Sequence, residues 1–123
     1  MATQWVSRRV SKYGNRAVVA DGQRFDSRRE HKRYQDLAIL ERAGAIQGLR
    51  RQVSFQLYGM NGQPLKIKSK GYPNGRVARY VADFCYDERG VNVIEDSKGG
   101  VLTAEYKLKR AIMESMGYSI RET

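Results

Sequence analysis

Cysteine and histidine are almost missing: the 123 residues contain one of each, Cys85 and His31. A single cysteine excludes an internal disulfide and fits a reducing compartment such as the cytoplasm. One cysteine and one histidine also exclude a Cys/His zinc site within one chain. No apolar run approaches the ~20 residues of a membrane span. The opening stretch, Met1-Ala2-Thr3-Gln4-Trp5-Val6, lacks the apolar core of a signal peptide. A membrane partner is therefore not expected. Acidic side chains are also in short supply, with 13 against 23 Lys and Arg, for a net charge of +10.

Hydrophobic residues make up 41% of the chain, enough for one modest core, so persistent disorder is not expected. A domain this basic points to a polyanionic partner. The excess is uneven: residues 1–52 hold 12 basic and 5 acidic side chains, residues 53–123 hold 11 and 8. Basic pairs stand at Arg8-Arg9, Arg28-Arg29, Lys32-Arg33 and Arg50-Arg51. A second basic stretch, Lys66, Lys68, Lys70, Arg76 and Arg79, surrounds a Gly/Pro-rich segment. Residues 1–16 read as a basic arm and residues 17–123 as one domain.

Segments 16–20 and 23–25 flank Asp21-Gly22, a favoured two-residue hairpin turn. Ser27-Arg28-Arg29-Glu30 fits the capping box S-x-x-E, and the helix it opens should run to about Ala43, with Gly44 as its stop. Val53, Phe55 and Leu57 alternate with polar residues, the period of a half-buried strand. Residues 59–75 are punctuated by Gly and Pro and read as a loop or loose hairpin. Residues 76–86 and 91–98 are β-rich and are separated by the turn Asp87-Glu88-Arg89-Gly90. Thr103 caps a second helix with Ala104, Leu108, Ala111, Ile112 and Met116 on one face, Gly117 ends it, and residues 118–122 add a last strand. The fold class expected is α/β: hairpin, helix, three strands, helix, strand.

Two of these strands carry charge where apolar residues would be usual. Asp83 lies within one, and Asp96 and Lys98 end the next. Residues i and i+2 share a strand face, so Asp96 and Lys98 point together while Glu95 points the other way. Pairing through the 87–90 turn brings Asp83 beside Asp96. Two desolvated carboxylates repel, and a divalent cation such as Mg²⁺ or Mn²⁺ removes that penalty. A neighbouring ammonium adds positive charge where a phosphoryl transition state gains negative charge. The equipment suits phosphodiester hydrolysis, through the lowered pKa of a metal-bound water. Acid-x-Lys alone is weak, since Glu30-His31-Lys32 and Glu105-Tyr106-Lys107 share it; only Asp96-Ser97-Lys98 ends a strand that follows another strand with its own aspartate.

Asp83, twelve intervening residues and Asp96-Ser97-Lys98 resemble the PD-(D/E)xK, or restriction-endonuclease-like, nuclease superfamily. The helix–strand–strand–strand–helix–strand order over about residues 27–122 matches its common core. Lys12-Tyr13-Gly14-Asn15, Phe25-Asp26-Ser27-Arg28-Arg29-Glu30, Tyr80-Val81-Ala82-Asp83-Phe84 and Glu95-Asp96-Ser97-Lys98-Gly99 look like a small phage and prophage family within it. The chain also resembles the phage junction-resolving endonucleases of the endonuclease I type. The resemblance implies that Asp83 and Asp96 bind a metal, that Lys98 orients or activates the water, and that Glu30 is a further metal or water ligand. Ala82 stands in place of the motif's proline before the first acid, a proline absent from many members, and Asp96 stands where glutamate is commoner.

It also implies an Mg²⁺-dependent DNA endonuclease in which Mn²⁺ can substitute, acting on branched DNA such as a Holliday junction, as a homodimer, in the host cytoplasm if phage-encoded. A less selective nicking or double-strand endonuclease, and a non-catalytic nucleic-acid-binding module, are the alternatives. Arg28, Arg29, Lys32, Arg33, Arg50, Arg51, Lys107, Lys109 and Arg110 are the candidate DNA contacts. Glu30 has two readings: as third residue of the capping box it would bond the Ser27 amide and serve only the helix, whereas as a ligand it would face the sheet. Glu95 is read as structural unless a bulge exchanges it with Asp96. Gln52, at the end of the Arg50-Arg51 run, has two readings, one that reaches the site or the DNA backbone and the commoner one of a plain strand residue. His31 reads as an exposed helix residue and Cys85 as a small buried hydrophobe.

Overall fold

The computed structural model describes residues 6–10, 16–20, 22–98 and 102–123. In chain order they form β1 (Val6–Val10), β2 (Arg16–Ala20), β3 (Gln23–Phe25), α1 (Arg28–Arg42), β4 (Gln47–Gln56), β5 (Lys66–Ser69), β6 (Tyr72–Val77), β7 (Arg79–Glu88), β8 (Val91–Asp96), α2 (Ala104–Ser115) and β9 (Ile120–Glu122). The result is a mixed α/β fold. Its main sheet has the order β4-β7-β8-β9, antiparallel except for the parallel β8–β9 pair. β1-β2-β3 and β5-β6 form two smaller sheets. No helix among the described residues is long and apolar enough to cross a membrane.

Local chemistry sets both helices. Ser27 and Thr103 are extended N-caps whose hydroxyls accept from the amides of Glu30 at 3.1 Å and Tyr106 at 3.0 Å. Gly44 and Gly117 follow the two helix ends with φ of +80° and +95°, a conformation natural to glycine at that point. Arg89 and Gly90, at φ +52° and +78°, make the two-residue turn between Glu88 and Val91. A turn with both central residues at positive φ matches the twist of the strands it joins and fixes their register.

The structure differs from the sequence reading at three places. Within the stretch read as an arm, Val6–Val10 is a strand paired with Arg16–Ala20; Asp21, half of the expected turn after it, lies outside the described residues. Of the two readings of the Gly/Pro-rich segment, the hairpin is the one formed, as β5–β6, but it extends into the β-rich run beginning at Arg76, which is broken at Ala78 into the end of β6 and the start of β7. β4 begins at Gln47, five residues before the alternation becomes visible, because a bulge between Gln47 and Arg50 scrambles the period.

The sheet is covered on both faces. Leu57, Ala78, Tyr80, Ala82, Cys85 and Ile94 pack with Met113 of α2. Phe84, Tyr86, Val93 and Ile46 pack with Leu37 of α1. Tyr80 and Ala82 therefore face α2, whereas Phe84 and Tyr86, of the same parity, face α1. The alternation of β7 slips once, at Asp83. The partner position on β4 is Gln52, between the pairs Arg51↔Phe84 and Val53↔Ala82, and its φ is +51°. A non-glycine residue in the left-handed region costs about 1–3 kcal/mol and persists only where the surroundings hold it there.

Candidate active site

Asp83 and Asp96 meet where that slip occurs. The Asp83 amide donates to Asp96 Oδ1 at 3.2 Å, and the Ser97 amide donates to Asp83 Oδ2 at 2.9 Å. Each carboxylate thus binds backbone on the other's strand. The regular β7–β8 register makes this possible: Phe84 pairs with Glu95, so Asp83 falls opposite Asp96 and no bulge exchanges Glu95 for Asp96. Asp96 is buried, and the ladder to β9 pins its backbone, its carbonyl accepting from the Thr123 amide at 2.9 Å. Lys98 Nζ lies 3.8 Å from Asp96 Oδ1 and 4.4 Å from the centre of the Tyr106 ring. The lysine is held by a carboxylate on one side and an aromatic face on the other.

Glu30 enters from the first turn of α1. Its own amide completes half of the capping box, but its carboxylate does not return to Ser27. Oε2 accepts from the Asp26 amide at 3.2 Å, and Oε1 accepts from Gln52 Nε2 at 2.9 Å and from Arg51 at 3.3 Å. The same Gln52 nitrogen lies 3.5 Å from Asp83 Oδ1. Glu30 therefore serves the helix through its backbone and faces the sheet through its side chain, and the Gln52 amide links it to Asp83. Of the two readings of Gln52, the one that reaches the site holds: the left-handed turn at this position swings its amide between Glu30 and Asp83. Nothing in a Val/Phe/Leu alternation signals that turn; the usable signal is its position opposite Asp83 in any register that pairs Val53 with Ala82.

The carboxyls of this group are all harder to ionise than usual. Burial pushes Glu30 up to about 7, helped by the nearby Asp83 and Asp26 charges and opposed by the Asp26 amide and Arg51. Burial pushes Asp96 up to about 6 against the pull of Lys98. Asp83 is raised as well, by burial first, with the Ser97 amide and Lys98 opposing. Asp96 Oδ2 is buried and has no hydrogen-bond partner among the described residues. An orphaned oxygen on a desolvated carboxylate beside a second carboxylate is a hard, oxygen-only donor set, which suits Mg²⁺ or Mn²⁺. Among the described residues no three carboxylate, imidazole or thiolate groups converge as a ready-made cage. Mg²⁺ does not need one, since one or two carboxylates with waters and substrate phosphate suffice.

Glu95, next to Asp96, has the opposite surroundings. It is buried on the α1 face, where Arg33 donates to it twice, at 2.7 and 3.0 Å, Tyr86 Oη at 2.5 Å and Thr123 Oγ1 at 3.2 Å. Burial raises its carboxyl, but Arg33 and Tyr86 outweigh this and hold it below the ordinary range. All its acceptor capacity is taken up inside the fold.

The candidate DNA contacts divide. Arg28, Arg29, Lys32 and Arg33 line a cleft of about 440 Å³ with Asp36, Ser97 and Thr123, so the cleft adjoins the carboxylate pair through Ser97. Within it Arg33 is engaged by Glu95, and Arg29 donates to the Thr123 carbonyl at 3.3 Å. Arg51 is a staple: it donates to Gln23 at 2.8 Å and to the Arg24 carbonyl at 2.9 Å, and its guanidinium lies 3.9 Å from the Phe25 ring centre. Lys109 pairs with Glu105 at 3.0 Å, and Arg110 pairs with Glu122 and Glu114. Arg50 and Lys107 are exposed. His31 is not exposed as expected: it is fully buried against the Phe25 ring, with centroids 4.7 Å apart. Cys85 is a free, buried thiol.

A mixed α/β fold with a desolvated carboxylate pair and an ammonium group at a kinked strand is the class these observations define. The family model described as "Protein of unknown function (DUF1064)" matches residues 10–123, and the chain belongs to that family. Searches of curated proteins and of solved structures find no match.

Proposed function

We propose that this protein is a metal-dependent DNA endonuclease built on a restriction-endonuclease-like core. The observation that carries this reading is the crossed pair Asp83 and Asp96, one oxygen of it buried and without a hydrogen-bond partner among the described residues, with Lys98 alongside. Asp83 and Asp96 would hold the cation, and Glu30 would stand behind them through Gln52. A bound Mg²⁺ or Mn²⁺ supplies charge neutralisation and makes water a usable nucleophile near neutral pH. Lys98 offers an ammonium group to a phosphoryl oxygen as negative charge builds there. Glu30, its carboxyl pushed up to about 7 by burial, can take up or release a proton near neutral pH. The cationic cleft beside Ser97 suits the strand being cut.

The proposed substrate is branched DNA such as a four-way junction, cut by a homodimer whose two-fold symmetry matches paired cleavage sites. Less selective cutting of duplex DNA uses the same site. The test is a cleavage panel of four-way junctions, flaps, single strands and linear duplex, with Mg²⁺ and with EDTA. Expected are cleavage in Mg²⁺, none in EDTA, the fastest rate on the junction, and loss of cutting in Asp83→Ala and Asp96→Ala with DNA binding retained. Equal rates on all substrates defeat the junction proposal, and cutting that persists in EDTA or in both variants defeats the metal site. The absence of a ready-made three-ligand cage among the described residues favours the alternative of a non-catalytic binding module. That reading expects no cleavage at all and indifference to Asp83 and Asp96.

A further inference from the structure

No acidic residue occurs between Glu41 and Asp83. Within that gap, residues 57–81 carry Lys66, Lys68, Lys70, Arg76 and Arg79, a local charge of +5 in a chain of +10. Four of these five cations lie in the β5–β6 hairpin, which the site described above does not use. Every residue of β5 is exposed, and every residue of β6 except Gly75. Lys66, Lys68 and Lys70 have no ion-pair partner among the described residues.

A bare two-stranded ribbon is at best marginally stable in water. This one is fixed at its root. The Leu57 amide donates to the Ala78 carbonyl at 3.2 Å, Leu65 to Leu57 at 2.9 Å and Ala78 to Leu65 at 2.8 Å, and Leu57 and Ala78 are buried in the core. Gly75, at φ +88°, lets β6 bulge against Lys66: a Cβ there would lie 2.8 Å from Lys66 Cβ. The chain thus holds in place a ribbon with three lysines along its edge and tip that no acid pairs among the described residues, while Arg76 on the other strand lies within the electrostatic reach of Glu105. Lys66 and Lys68 project from one face of β5, and Lys70 sits in the terminal turn. Arg79, which opens β7 just after the hairpin's root, is four residues from Asp83, about 13 Å at 3.3 Å per residue. On a duplex that is about four base pairs.

We propose that the β5–β6 hairpin is a second DNA contact, a wing whose lysines lie against the sugar–phosphate backbone of the duplex arm beside the cleavage site. The proposal rests on the reading of DNA as the substrate but not on hydrolysis. Its test is binding of the full chain to a labelled duplex of about 20 base pairs, in EDTA, titrated with salt. The Lys66→Gln/Lys68→Gln/Lys70→Gln triple variant should melt like wild type. The slope of log affinity against log salt should fall by about 2–3, with binding at least about tenfold weaker near 0.1 M salt. The corresponding triple Lys→Arg variant should bind like wild type. A Gln triple with wild-type slope and affinity overturns the wing and leaves the nuclease reading intact. Hairpin-dependent binding without cleavage in Mg²⁺ supports the wing and overturns hydrolysis. No binding to DNA overturns both.

Discussion

Replacing Asp96 by Asn should stabilise the metal-free protein at alkaline pH while abolishing cleavage. In the unfolded chain the carboxyl loses its proton near 3.8, whereas in the fold burial holds it to about 6. A shift of roughly two units corresponds to about 3 kcal/mol against the ionised, folded form. The sign follows from proton counting. Between these values the folded state keeps a proton that the unfolded state has lost, so stability falls as pH rises and levels off above the folded pKa. Asparagine retains the oxygen that accepts from the Asp83 amide and carries no charge to desolvate. The stability of Asp96→Asn relative to wild type should therefore grow by about 2–3 kcal/mol between pH 4 and pH 8 in EDTA, or roughly 10 °C in Tm for a domain of this size. Thermal unfolding of both proteins across that range measures it. A difference that stays flat with pH, or shrinks as pH rises, refutes the claim that Asp96 is a desolvated carboxylate awaiting a cation.

The neighbouring acid should behave in the opposite way. Glu95→Gln removes the charge that Arg33 and Tyr86 surround and should destabilise by about 3 kcal/mol or more in urea unfolding near neutral pH. Gln52→Gly and Gln52→Ala both lose the amide between Glu30 and Asp83, so both should cut poorly; Gly should be the more stable by about 1 kcal/mol because it accepts φ of +51°. Cation binding must displace protons from Glu30 and Asp96. Calorimetry should find Mg²⁺ affinity rising from pH 5.5 to pH 8, with proton release at the lower end; a pH-independent affinity contradicts the raised carboxyls.

Short-range chemistry was legible in the sequence. Ser27, Thr103, Gly44 and Gly117 mark helix ends through contacts within a few residues, and the turn read at residues 87–90 is there, narrowed to Arg89 and Gly90 because Asp87 and Glu88 stay paired in β7, with Asp83 beside Asp96. Contacts between distant segments were not. Arg33 and Arg51 look alike in a list of cations, but the acids that engage them, Glu95 and Glu30, stand 62 and 21 residues away. Gln52 joins the site only through a backbone turn that its residue type does not announce. The Gly/Pro-rich segment left loop and hairpin both open because Gly75 and Pro73, rare inside regular strands, sit at a bulge where they suit the ribbon.

The measurement closest to the central claim is the anomalous diffraction of crystals grown with Mn²⁺. The account expects one strong peak within bonding distance of a carboxylate oxygen from both Asp83 and Asp96, adjoining Lys98, and its loss in Asp96→Asn. A wild-type crystal with Mn²⁺ bound elsewhere, and none between those two carboxylates, contradicts it.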